Sequence, residues 1–474
     1  MQALHLTCFY HGTLDRAIPL TPLSPEILDA WLEAQALATR QWLDVQRFKA
    51  KPQSLCLLPD VAGRLERVLV GLDQAEPMWF IAALPEKLPA GVYYLDADWP
   101  QTQRVNLAIG WGLGSYRFNR YKKTEPLLSQ LALPEGPDTF TAAEIAQIEN
   151  TVSAHYWVRD LINLPAADMT PAHLGEAFER LASEFGAQCT QTIGERLPDA
   201  GYPLVHAVGR ASQHAPRVLD LRWGDPAGFK LTLIGKGVCF DSGGLDLKPS
   251  KGMRWMKKDM GGAAHVLGLA RMIMAANLPV CLRVLVAAAE NMVSANAFKP
   301  GDVLLSRQGL SIEIDNTDAE GRLLLSDLLS AAAEEAPDLM IDFATLTGAA
   351  RVAVGTEIAA FFSNDDTLAD ALMHHATLPC DPLWRLPLHA PYKAMLDSDI
   401  ADLANSSESG YAGAITAALF LQAFVQHRPW VHFDIMAWNT RQRPGRPKGG
   451  EAMGLRTVFA WLTTTLAQRR SLTC

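Results

Sequence analysis

Apolar positions along this chain switch between a two-residue and a roughly 3.6-residue period, and the switches divide it into two differently built regions. Up to about Gln130, short apolar runs at residues 68–72, 78–84, 92–95 and 105–111, separated by turn residues, predict strands. Residues 31–48, W-L-E-A-Q-A-L-A-T-R-Q-W-L-D-V-Q-R-F, predict one helix, so this region reads as a small α/β domain. The string L-P-E-G-P-D at 133–138 interrupts any regular element and predicts a linker. A helix follows with full start signals. Thr141 and Glu144 form a capping box and Phe140 with Ile145 a hydrophobic staple, while Ile145, Ile148, Val152, Tyr156 and Trp157 carry its apolar face to about Ile162.

Beyond that helix the strongest predicted strands are 231–234, 282–289, 339–343 and 431–436, and the strongest helices 263–276, 323–336 and 412–425. Such alternation predicts a mixed, largely parallel sheet covered by helices. With 474 residues the chain exceeds one compact core. The expected organisation is an N-terminal α/β domain at 1–137, a linker helix at 138–163 and a larger C-terminal α/β catalytic domain at 164–474. Active sites of open sheets lie beyond the carboxyl ends of the strands. Three such ends here carry chemistry.

The first, I-G-K-G-V-C-F-D-S-G-G-L-D-L-K-P at 234–249, sets Lys236, Asp241 and Lys248 among glycines that allow close backbone approach. It lacks both phosphate-binding glycine patterns, which argues against a nucleotide cradle. Asp259 follows inside K-K-D-M-G-G-A-A, before the next predicted helix. The second end follows a strand predicted at 311–315 and reads N-T-D-A-E-G-R-L. In an extended stretch its Asp318, Glu320 and Arg322 would project to one side. The third is D-F-A-T-L-T-G-A-A at 342–350. Asp241, Asp259, Asp318 and Glu320 supply enough hard oxygen donors for two divalent cations, whose combined effect on water and a carbonyl is amide-hydrolysis chemistry.

Charge and cysteine usage narrow the partners. A net charge of −9 argues against a general nucleic-acid surface. Seven scattered cysteines without C-x-x-C spacing suggest neither a disulfide framework nor a zinc knuckle, and a reducing cytoplasm is the expected compartment. The N-terminus lacks a signal-peptide pattern, and no stretch is apolar enough to span a membrane. Neither G-x-S-x-G nor H-E-x-x-H occurs, which disfavours serine hydrolase and thermolysin-like chemistry.

The spacing of Lys236, Asp241, Lys248, Asp259, Asp318, Glu320 and Arg322, with the strings G-K-G-V-x-F-D-S-G-G, D-M-G-G-A-A, N-T-D-A-E-G-R-L and A-T-L-T-G-A, resembles the dizinc leucine (cytosol) aminopeptidase family. Weaker matches at 116–122, 159–171, 410–421 and 432–435 extend the resemblance to roughly residues 110 to 460. It implies a metal-dependent aminopeptidase acting on peptides with a free N-terminus. One metal would be held by Asp241, Asp318 and Glu320, and the other by Lys236, Asp241, Asp259 and Glu320. Zinc or manganese is expected ahead of magnesium or cobalt. Lys248 would stabilise the oxyanion and Arg322 would anchor a bicarbonate acting as general base. Lys236 ligates only as a neutral amine, so metal binding should weaken as pH falls. Met256, Thr345, Leu346, Gly348 and Met436 would contact substrate. Met436 stands where the family commonly has a small residue, which makes a leucine preference unsafe, and Ala167 replaces a usual asparagine. His265 is expected on a helix surface or interface. The resemblance also implies a homohexamer, a dimer of trimers. The alternative is a binding or regulatory member without turnover, including a nucleic-acid-binding one.

Overall fold

The computed structural model describes residues 6–73, 77–97, 99–123, 125–136, 139–376 and 380–473. Pro137 and Asp138 of the proposed linker string lie outside the described residues, as do Met1–His5 and Cys474. The chain forms two compact units, one of residues 1–156 with 441–448 and one of 157–440 with 449–474.

The N-terminal unit holds a six-stranded sheet of β1 (Phe9–Tyr10), β2 (Ile18–Leu23), β3 (Leu55–Pro59), β4 (Leu65–Gly71), β5 (Gly91–Leu95) and β6 (Ser129–Ala132), in the order β1-β6-β5-β2-β4-β3. Only β3 pairs antiparallel to its neighbour. The runs expected as strands at 78–84 and 105–111 are instead helices, Pro77–Ala82 and Gln101–Gly114. The first is almost wholly buried and the second is buried throughout from Leu107 to Gly114, and a helical stretch apolar on every side has no amphipathic period to distinguish it from a buried strand. Their contact is backbone to backbone. A Cβ on Gly110 would sit 2.3 Å from the Met78 carbonyl oxygen, and one on Gly114 would sit 2.0 Å from that of Ala82. The single helix expected at 31–48 is two, Pro25–Glu33 and Leu37–Val45, broken without a proline or glycine to announce it.

The capping box at Thr141 is present. The Thr141 N–H donates to Glu144 Oε2 at 2.8 Å, and the Glu144 N–H donates to Thr141 Oγ1 at 3.3 Å, opening the helix Ala142–Asn163.

In the second unit β7 (Gln188–Ile193), β8 (Arg217–Gly224), β9 (Phe229–Asp241), β10 (Val280–Asn291), β13 (Leu339–Ala344), β14 (Ala359–Ser363), β15 (Leu383–Arg385) and β17 (Trp430–Asp434) form one sheet in the order β15-β14-β17-β13-β9-β10-β8-β7. Its centre, β17-β13-β9-β10, is parallel, and antiparallel pairings flank it at β14 and β8. Short strands β11 (Val303–Leu305), β12 (Ser311–Glu313) and β16 (Leu403–Ala404) make a separate three-stranded sheet. Helices Gly261–Ala275 and Glu320–Ala333 cover the main sheet, and every residue of the second is buried.

One polar network sits deep in this unit. Arg159, fully buried, donates to Glu451 through Nε at 3.1 Å and Nη2 at 3.0 and 3.2 Å, and Asn439 Nδ2 and the Ala452 N–H also reach that carboxylate. Removing one partner strands the other's charge in the interior. Glu451→Ala is therefore expected to cost about 3–5 kcal/mol of stability, read as a lowered urea midpoint at unchanged slope.

Candidate metal centre and substrate wall

Strand β9 carries two of the charged groups. Lys236 lies within it, and Asp241 closes it, both almost wholly buried. Asp241 Oδ1 accepts from the Gly243 N–H at 2.8 Å and from Asn291 Nδ2 at 2.9 Å, so neighbouring β10 aims the carboxylate. The chain then turns through Gly243 and Gly244 at φ of 89° and 65°, a region open to glycine at little cost. That turn returns Lys248, whose Nζ lies 2.7 Å from Asp241 Oδ2 and pairs with Asp318 as well.

A second clasp joins the two loops. Thr317 Oγ1 donates to the Gly243 carbonyl at 2.7 Å and accepts from the Asp246 N–H at 2.9 Å, while the Thr317 N–H donates to Asp246 Oδ2 at 2.7 Å.

Asp259 lies on the 3₁₀ turn Met256–Met260 and accepts from Thr345 Oγ1 at 2.7 Å, just past the end of β13. Lys236 Nζ sits 2.7 Å from Asp259 Oδ2 and 2.9 Å from Glu320 Oε1. Gly321 makes that approach possible: a Cβ there would fall 2.7 Å from Lys236 Nζ.

The octapeptide is not the extended stretch expected. A turn precedes Glu320, which opens the helix Glu320–Ala333, so Glu320 and Arg322 share a helical turn and diverge. Glu320 faces Lys236, whereas Arg322 Nη1 donates to the Asn405 carbonyl at 2.6 Å and its guanidinium lies 6.0 Å from the Phe420 ring centre. The strand before it also ends sooner, at Glu313, and belongs to the small sheet rather than the main one. Residues two apart alternate sides only while the backbone stays extended, and here it does not.

Asp241, Asp259 and Glu320 place their ligand oxygens within 4.8 Å of one another, all buried. Lys236 Nζ reaches Asp259 Oδ2 and Glu320 Oε1, while Glu320 Oε2 has no polar partner among the described residues. One ammonium thus serves two of the three carboxylates and leaves acceptor capacity on the cluster, Glu320 Oε2 above all. Buried, unfilled carboxylate oxygens at this spacing fit a divalent cation.

Electrostatics follow the same crowding. Burial and the Asp241 charge push the Glu320 carboxyl up to about 8, and the same two causes push Asp318 up to about 6. Burial acts to lower both Lys236 and Lys248, but the surrounding carboxylates, Asp259 foremost for Lys236 and Asp241 for Lys248, outweigh it and hold them above the ordinary lysine value. Burial raises and Lys236 lowers Asp259, with the ion pair prevailing. Arg322 is brought down to about 10 by burial and stays a cation at neutral pH, its buried Nε without a hydrogen bond. Lys258, next to Asp259, is brought down by burial to about 7.

Of the remaining expected residues, Met256 shares the 3₁₀ turn of Asp259, and Thr345 bonds to that carboxylate. Met256, Thr345 and Met436 are buried, Leu346 is half-buried and Gly348 is exposed. A Cβ on Gly261 would meet Thr345 Cγ2 at 3.1 Å and Ala437 Cβ at 2.5 Å, so these segments converge tightly. Asp434, at the end of β17, accepts from the Leu346 and Thr347 N–H groups at 3.0 Å each and from Thr347 Oγ1 at 2.6 Å, fixing the turn into the helix Gly348–Val354. His265 is not a surface residue. It is fully buried, its Nδ1 2.6 Å from the Gly261 carbonyl and its Nε2 accepting from the Met453 N–H at 2.9 Å. The sequence reading missed Asn291, Asn405 and Lys258 as parts of this site. Asn405 Oδ1 accepts from the Asp315 and Asn316 N–H groups at 2.9 and 3.1 Å, yet it sits in L-A-N-S-S, which carries no motif.

Comparison with known proteins gives consistent matches. Residues 156–459 match the catalytic domain of the cytosol aminopeptidase family, and residues 18–134 match the N-terminal domain of M17 aminopeptidases. A probable cytosol aminopeptidase of Syntrophotalea carbinolica is 42% identical over 376 residues, 77% of this chain and 76% of that protein. The crystal structure of a cytosol aminopeptidase from Coxiella burnetii superposes with a TM-score of 0.93 at 47% identity, covering 97% of this chain and 99% of that one. The bottromycin maturation enzyme BotP, solved in complex with Mn, superposes at 0.85 with 33% identity, covering 95% and 100%.

Proposed function

This chain belongs to the cytosol aminopeptidase family, and from that membership we propose that it releases N-terminal residues from peptides at a two-metal centre built on Lys236, Asp241, Asp259, Asp318 and Glu320. Its family makes it a leucyl aminopeptidase-like metallo-exopeptidase. The observation that carries the finer reading is the buried Asp241–Asp259–Glu320 cluster with its unfilled oxygens. Divalent zinc or manganese there would supply Lewis acidity toward a carbonyl and a more acidic water.

The chain's own residues do the rest. Asp259 offers a buried carboxylate to the free α-amine of the substrate, which would restrict cleavage to the N-terminal bond. Lys248, kept cationic by Asp241 and its neighbours, donates to the carbonyl oxygen as negative charge gathers on it. Arg322, cationic and with an unfilled buried Nε, suits a small planar anion such as bicarbonate, which would take the proton from water. Met256, Thr345, Leu346, Gly348 and Met436 would form the substrate wall. The proposal includes a cytoplasmic homohexamer built as a dimer of trimers; no helix among the described residues is long and apolar enough to cross a membrane.

Chelated and then zinc- or manganese-reconstituted protein tests this on leucinamide and N-acetyl-leucinamide. Activity is expected to vanish with the metal, return with it, and never extend to the acetylated substrate. Full activity in chelator, or cleavage of the acetylated amide, would sink the reading.

A further inference from the structure

The helix Gly348–Val354 brings a cation to the substrate wall. Arg351 lies one helical turn after Gly348, and long helical side chains lean back over the preceding turn. Gly348 has no side chain to block it, and a Cβ built there would lie 3.3 Å from Arg351 Nη2. The guanidinium therefore lies beside the exposed glycine. It makes no ion pair or hydrogen bond among the described residues.

Several arginines of the same unit are paired, whereas Arg180, Arg196, Arg254 and Arg428 share Arg351's lack of a side-chain partner among the described residues, so it is the place beside Gly348 that sets Arg351 apart. Arg159 pairs with Glu451, Arg222 with Glu335, Arg283 with Asp220 and Arg307 with Glu334. Lys258 adds a second unfilled donor. It lies on the 3₁₀ turn that also carries Met256 and Asp259, fully buried, with no hydrogen bond to its Nζ. A half-exposed guanidinium beside Gly348 and an unfilled amine donor on the turn of Met256 thus sit next to residues expected to form the wall, where an aliphatic side chain would displace their water or pass them without return. A carboxylate would instead match the guanidinium fork.

We infer that the substrate pocket selects peptides whose N-terminal residue is aspartate or glutamate, with Arg351 the specificity-determining residue and Lys258 its support. This rests on the aminopeptidase reading above and names its substrate class. The test compares kcat/KM of the metal-reconstituted enzyme on glutamyl- and glutaminyl-p-nitroanilide, and on the aspartyl and asparaginyl pair. These substrates lack a C-terminal carboxylate, so any preference belongs to the side chain; Gln-Leu against Gln-Leu-amide reports the C-terminal group separately.

The acid-to-amide ratio is expected to be about tenfold in wild type, to fall to about one in Arg351→Gln, and to fall in part in Lys258→Met. Arg351→Glu should turn the preference toward lysyl substrates. Each ratio is internal to one variant, so partial misfolding does not mimic it. A wild-type ratio of one or less, a ratio unchanged in Arg351→Gln, or a benefit confined to the C-terminal carboxylate overturns the inference. Good cleavage of leucyl and glutaminyl substrates with no glutamyl gain overturns this inference alone. Failure on every substrate overturns the aminopeptidase reading and this one with it.

Discussion

Glu320→Ala is expected to bring aminoacyl-amide hydrolysis below about 1% of wild type, because a metal-supplied contribution of several kcal/mol depends on that carboxylate. Glu320 stands at the meeting point of three elements. It opens the helix Glu320–Ala333, faces Lys236 of β9, and shares the cluster with Asp259 from the 3₁₀ turn. Alanine is well tolerated in a helix, and the residue's burial already works against its charge, so folding has little reason to suffer. The variant should therefore keep a normal circular-dichroism spectrum while losing metal and activity together. Retained activity, or loss of activity with metal content intact, would remove Glu320 from the ligand set.

Lys248→Ala should lower kcat by about 10²–10³-fold while KM moves by only a few-fold, the pattern of a donor felt mainly in the transition state. Lys248 is poised by the Gly243–Gly244 turn and by its contacts with Asp241 and Asp318. Arginine should not rescue it, since a planar fork cannot occupy the place of a compact ammonium. Steady-state kinetics on leucinamide read both values. An unchanged kcat, or a loss confined to KM, would assign Lys248 to binding instead.

Much of this centre is legible in the sequence, for a physical reason. Lys236, Asp241, Lys248, Asp259, Glu320 and Arg322 sit in glycine-containing strings because backbone and side chains must approach closely, and Gly321 beside Lys236 shows why the glycine is needed. Strands β9, β10, β13 and β17 were legible as well, since a central strand buried on both faces is apolar throughout. The same property hid the helix Pro77–Ala82 and the Leu107–Gly114 part of the helix Gln101–Gly114, whose all-round burial leaves no period to read. What could not be read were residues acting through backbone contacts between distant segments. Asn405 holds the octapeptide across some ninety positions of sequence, and Asp434 fixes the Leu346–Thr347 turn from another strand. Glu320 and Arg322 were expected on one side of an extended stretch, but the helix start falls within the motif and separates them. Arg351 sits inside the apolar run after A-T-L-T-G-A and gains meaning only when Gly348 is seen beneath it. The binding-only alternative gains no support from the comparisons, which match a catalytic domain and named aminopeptidases.

Metal content measured alongside turnover tests the central claim most directly. Chelated protein titrated with zinc or manganese, with bound metal and leucinamide hydrolysis followed in the same samples, should bind two ions per chain and recover activity as they load, whereas Glu320→Ala should bind fewer and recover none. Chelated, metal-free wild type that hydrolyses leucinamide at the full rate would contradict the account.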